Sequence, residues 1–159
     1  MPIEFLDLLA DDGWAPVPLV PEGSGTGWAD GGTLDAAPVD VASTFAAIRR
    51  STGIDPSFGL HGVRLAPGWC GPDRRHDQPL LMIVFAGTVV VRSAATDDGE
   101  GSAEQVVGAG EFCVIDEGTV HSISAGPDGA TYTECWPQDV DGADTTWYPG
   151  DAWAHGGQS

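Results

Sequence analysis

Histidine is the side chain best suited to exchanging a proton or holding a metal near neutral pH, and this sequence has four of them: His61, His76, His121 and His155. Two of them, His61 and His121, stand in apolar surroundings at strand spacing. In Leu60-His61-Gly62-Val63-Arg64-Leu65, His61 shares parity with Val63 and Leu65 and so points to their side of a strand. Arg74 and His76 are two apart and share a face, and His121 lies between Val120 and Ile123. Glu134, in step with Tyr132 and Trp136, reads either as a buried functional carboxylate or as an outward acid. His155 sits in a Gly-rich tail and reads as solvated. The cysteines Cys70, Cys113 and Cys135 form no Cys-x-x-Cys pair and are odd in number, which argues against a disulfide framework or a zinc ribbon.

The charge balance narrows the ligand. Against 24 Asp and Glu stand six arginines and no lysine, a formal net charge of −18. Such a chain lacks the cationic stripe that nucleic acid requires, and it would be repelled by an anionic membrane surface. Yet Arg64, Arg74 and Arg75 fall within twelve residues of His76. A local positive patch on a negative body would focus an anionic ligand, and arginine can grip a carboxylate with two hydrogen bonds.

The elements that must position these groups are strands. The 159 residues suit one domain, and 23 Gly with 12 Pro favour turns over long helices. Strands are expected at about 58–66, 80–92, 103–107, 111–115, 119–125 and 130–136, with breaks at Pro67-Gly68, Gly71-Pro72, Gly108–Gly110, Glu117-Gly118 and Gly126–Gly129. Before them, residues 1–56 read as an irregular arm ending in one helix over 40–52, capped by Asp40 and stopped by Gly53. After the strand region at 57–137, residues 138–159 read as a tail whose Trp147, Tyr148 and Trp153 pack back onto the barrel or a partner chain. The acidic N-terminus and the absence of a long apolar run make the cytoplasm the expected location.

Two stretches resemble the paired motifs of the cupin superfamily. The first family motif is Gly, five residues, His-x-His, three or four residues, Glu, six residues, Gly; here stand Gly68, Arg74-Arg75-His76, Leu80 and Gly87 in the same spacing. The second is Gly, five residues, Pro-x-Gly, two residues, His, three residues, Asn; here stand Gly110, Asp116, Gly118, His121 and Ala125. The resemblance implies an all-β fold, a double-stranded β-helix (jelly-roll) barrel with one ligand cavity, and a homodimer. It also implies a divalent transition metal (Fe, Mn, Ni or Zn). Two of the four family ligand positions are lost, however, because Arg74 replaces a His and Leu80 replaces the Glu. Only His76 and His121 remain, with His61 as a candidate third ligand, so a barrel without a metal is the favoured expectation.

The leading expectation is an enzyme acting on a small polar or anionic organic molecule by isomerisation, cyclisation or elimination. His76 and His121 would be its acid/base groups and Arg74 would orient the substrate. Arg64, Trp69, Gln78, Met82 and Glu134 are the expected substrate contacts. Two alternatives are a metal-dependent dioxygenase using His61, His76 and His121, and a non-catalytic binding or sensory cupin.

Overall fold

The computed structural model describes residues 7–16, 27–28, 49–51, 60–93, 102–137 and 143–148. They form ten strands: β1 (Trp14–Pro16), β2 (Gly27–Trp28), β3 (Arg49–Ser51), β4 (Leu60–Leu65), β5 (Asp73–His76), β6 (Leu80–Ser93), β7 (Ala103–Gly108), β8 (Phe112–Ile115), β9 (His121–Cys135) and β10 (Thr145–Tyr148). Among the described residues there is no helix, and none long and apolar enough to cross a membrane.

Two long strands organise the molecule. β6 and β9 pair antiparallel from Leu81 opposite Cys135 to Ser93 opposite His121. At one end this pair is flanked by β8 and β4, with β3 and β1 beyond β4. At the other end it is flanked by β7 and β5, with β10 and β2 beyond β5. If β9 were straight, His121 and Glu134 would stand ~40 Å apart at strand rise. Arg74, paired with His121, nevertheless comes within 3.8 Å of Glu134. The long pair therefore folds over on itself, and its two halves become the facing layers of one barrel.

The bend falls where the register shifts. Gly87 has φ +69°, and a Cβ there would run into the carbonyl oxygen of Gly129. On β9 the four residues Gly126–Gly129 lie opposite Thr88 alone, between the pairs Ala125–Val89 and Ala130–Gly87. A Cβ on Gly126 would strike the Thr88 hydroxyl, so glycine is what lets the strands close up at this point. The two strands expected at 119–125 and 130–136 are thus one: the Gly-Pro-Asp-Gly segment is a bulge inside β9 and not a hairpin turn. Replacing Gly87 with Ala forces both an unfavourable φ and a backbone collision. It is expected to cost about 2 kcal/mol or more, read as a lower urea midpoint.

The interior between the layers is apolar over most of its length, with Leu80, Met82, Val84, Val89, Ile123 and Tyr132 fully or nearly fully buried. In the arm, β1 pairs with β3 and β3 with β4. Most of the helix expected over 40–52 lies outside the described residues, but its last turn is strand: Arg49 and Arg50 take ladder partners from Arg64 and Val63. The segment before β1 is strapped down by Arg64. Its guanidinium donates to the carbonyls of Leu8 (2.9 Å) and Ala10 (2.6 Å), lies 4.3 Å over the Trp14 ring and sits 3.7 Å from Asp11. Arg64→Ala is expected to destabilise by about 1–2 kcal/mol and to speed limited proteolysis within residues 7–16.

Candidate functional site

Strand parity delivers seven polar side chains to the barrel interior. On β4, His61 alternates with Gly62 and points inward with Val63 and Leu65, as its sequence parity implies. On β5, Arg74 and His76 are buried while Asp73 and Arg75 are exposed. β9 contributes His121 from its first half and Tyr132 and Glu134 from its second, all buried. β10 brings Thr145 opposite His76 and Trp147 opposite Arg74.

Glu134 is the hub. His61 Nε2–H donates to its Oε2 at 2.9 Å, the Arg74 guanidinium lies 3.8 Å from its Oε1, and the Tyr132 hydroxyl donates to Oε1 at 3.5 Å. Burial alone would push this carboxyl up. The hydrogen bond from His61 and the positive field of His61 and Arg74 outweigh that, and hold it well below the usual carboxylate range. Burial and the adjacent carboxylate push the Tyr132 hydroxyl up, so it stays a neutral donor.

The two motif histidines stand next to this hub, their ring centroids 5.3 Å apart. His121 Nδ1 lies 2.9 Å from the carbonyl oxygen of Thr119. A carbonyl can only accept, so that nitrogen carries the proton and Nε2 carries the lone pair. His76 Nδ1 is 2.9 Å from the Thr145 hydroxyl, and the indole of Trp136 meets its ring edge-on at 4.7 Å. Burial first, then the Arg74 charge, pushes His76 down to about 3 and His121 down to about 4, so both rings are neutral near pH 7. The Nε2 atoms of both, and Nε of Arg74, are buried without a hydrogen-bonding partner among the described residues. Buried polar atoms are rarely left so, and these three, with His61 Nδ1 and Trp136 Nε1 beside them, mark a place where another molecule would complete the bonding.

A transition-metal centre requires three or four ligating atoms. Among the described residues, no three His, Cys, Asp or Glu side chains converge on a metal position. His61, expected as the third ligand, commits Nε2 to Glu134, and a guanidinium stands beside the two remaining imidazoles. The donor set does not fit a metal ion.

The other expected contacts divide. Met82 pairs with Glu134 across β6 and β9 and is fully buried against the hub. Arg64 is on the outward parity of β4 and binds the N-terminal segment, so the structure does not bring it to the cluster. Trp69 is a core side chain whose ring lies over Gly71, and Gln78 is half-buried in the turn between β5 and β6. Thr119, Thr145 and Trp147 were not expected at the site. Trp147 lies with its ring 5.2 Å from the Arg74 guanidinium carbon. Its sequence signal is the group of tail aromatics expected to pack back onto the barrel.

Both motifs of the sequence fall on these elements, the first running through β5 into β6 and the second from the turn before β8 into β9. The described strands form one antiparallel β barrel, the architecture that the motif resemblance leads one to expect. No protein-family model and no curated protein matches the chain. Solved structures that overlap it in part include an oxalate decarboxylase from Lactobacillus farciminis, at 23% identity and TM-score 0.48, covering 58% of this chain and 28% of that one. A Bacillus subtilis oxalate decarboxylase variant overlaps at 22% identity and TM-score 0.49, covering 60% and 27%. The cupin domain of Drosophila melanogaster CENP-C does so at 21% identity and TM-score 0.47, covering 56% and 67%. The chain thus spans little more than a quarter of either decarboxylase.

Proposed function

We propose that the barrel interior takes up a small polar organic molecule, neutral or anionic, and that His76 and His121 exchange a proton with it beside Arg74. The observation that carries this reading is the trio of buried, unpartnered atoms: Nε2 of both histidines and Nε of Arg74. A neutral imidazole accepts a proton from the ligand, the electron pair stays on the ligand, and the guanidinium steadies the negative charge that develops. Returning the proton at a different atom is an isomerisation; losing a leaving group in between is an elimination. Glu134 balances Arg74 in the resting site, so no fixed charge has to be neutralised before a neutral ligand enters.

A second reading has an observation of its own. Histidines pushed down to about 3 and 4 are weak bases, which suits a barrel that binds its ligand without turning it over. The two readings separate in deuterated solvent, where turnover exchanges a ligand C–H and simple binding leaves it intact.

The site itself is tested by titrating the protein with a panel of small hydroxy acids and hydroxy ketones while recording the ring nitrogen signals of His76 and His121 by NMR. At least one member is expected to move both signals in the native protein, and to lose affinity in Arg74→Gln. A member that raises the melting temperature while leaving both signals unmoved places the binding site elsewhere and refutes the assignment.

A further inference from the structure

Resting on that reading of the site, we infer that its ligand is an α-hydroxy carbonyl compound: an acceptor oxygen for Arg74 and, on the neighbouring carbon, a hydroxyl that donates to His121. Arg74 and His121 are direct partners across β5 and β9, so their side chains leave the sheet side by side on one face. The unpartnered atom of Arg74 is Nε, which can only donate. The unpartnered atom of His121 is Nε2, which can only accept while Nδ1–H is held by the Thr119 carbonyl. A hydrogen-bond donor and a hydrogen-bond acceptor thus stand on adjacent strands, both buried and both unsatisfied.

The complement of that pair is an acceptor and a donor on adjacent atoms of one ligand. A simple carboxylate supplies only acceptors and would leave His121 Nε2 unsatisfied. A simple alcohol can accept from the guanidinium Nε–H while donating to the imidazole, but its oxygen is a weaker acceptor for a cation than a carbonyl or carboxylate oxygen. A hydroxyl next to a carbonyl or carboxylate meets both. His76 adds a second ring 5.3 Å away; its Thr145 partner is a hydroxyl that can serve either way, so His121 fixes the polarity. Met82, paired with Glu134 across β6 and β9, and Trp147, paired with Arg74, place apolar surface beside the polar groups, and this suits a short carbon skeleton.

The test pairs each hydroxyl compound with its O-methyl ether, which keeps size and acceptor but removes the donated hydrogen. Glycolate is compared with methoxyacetate, and hydroxyacetone with methoxyacetone, by calorimetry and by the histidine ring signals. In at least one pair the hydroxyl compound is expected to bind about tenfold or more tightly, because the ether strands a buried acceptor. The His121 ring of the free protein at pH 7 is expected to show a protonated Nδ1 and an unprotonated Nε2. A preference confined to glycolate makes the acceptor a carboxylate, and one confined to hydroxyacetone makes it a neutral carbonyl; either supports the inference. Equal affinity within both pairs, or a protonated Nε2 in the free protein, overturns it. If equal affinities come with movement of both ring signals, the site assignment stands and only the ligand class falls. If none of the four binds, the inference fails as well; the assignment then survives only where another panel member moves the rings.

Discussion

Glu134→Ala is expected to be the most damaging single substitution in the barrel, costing about 3–5 kcal/mol and leaving the protein at the edge of unfolding in mild urea. The magnitude follows from what is stranded. One carboxylate serves His61 at 2.9 Å, the Arg74 guanidinium at 3.8 Å and the Tyr132 hydroxyl at 3.5 Å, all within the buried interior. Alanine leaves the guanidinium without its counter-charge, and a buried cation alone is far costlier than the pair is favourable. Glu134→Gln separates the contributions. It keeps the shape and an acceptor for His61 but removes the charge, so it is expected to lose roughly half as much as alanine, on the order of 2 kcal/mol. Chemical denaturation of both variants at pH 7 measures the difference, and equal losses would assign the effect to the lost charge alone.

Acid should unfold this protein well above the pH at which its carboxylates titrate. His76 and His121 have folded values near 3 and 4 against an ordinary 6.5. Both are lowered, so the unfolded chain binds two protons that the folded chain refuses. Stability from this source is complete above about pH 6.5 and falls as the pH drops towards 4. Each refused proton costs about 1.4 kcal/mol per pH unit, so the two rings together give a slope of about 2.7 kcal/mol per unit. Across two units that approaches the whole stability of an ordinary domain. Glu134, held low in the folded state, contributes in the same direction only below its ordinary value of 4.5. Urea unfolding at pH 6.5, 5.5 and 4.5 reads the slope, and His121→Asn is expected to reduce it by about half. An unchanged slope in that variant would mean the lost protons belong to other groups.

What the sequence discloses depends on whether the signal is local. Strand parity needs only neighbouring residues, and it correctly turns His61 inward with Val63 and Leu65, and Arg74 inward with His76. Motif spacing sets both motif histidines on strands of one antiparallel barrel. Pairings made far along the chain leave no such trace. Nothing near Thr145 indicates that it lies opposite His76, and nothing near Arg64 says that its guanidinium is taken by carbonyls of residues 8 and 10. The Arg cluster therefore read as one patch although strand alternation divides it. Arg74 enters the barrel, Arg75 faces solvent and Arg64 holds the arm. The Gly126–Gly129 segment misled for a related reason: a hairpin turn and a bulge use the same residues, and only the partner strand tells them apart.

That bulge also changes how the chain must be counted. Before it, the inward positions of β9 are the odd-numbered residues 121, 123 and 125; after it they are the even-numbered residues 130, 132 and 134. β6 makes the matching change, from 80, 82 and 84 to 89 and 91. Each long strand is therefore written in two reading frames, with the punctuation at Phe85 on β6, between the pairs Val84–Tyr132 and Ala86–Thr131, and at Gly126–Gly129 on β9. An insertion or deletion of one residue on either side would expose everything beyond it on its own half, whereas one within 126–129 would fall on the punctuation. Length variation in β9 should be tolerated there and nowhere else along the strand.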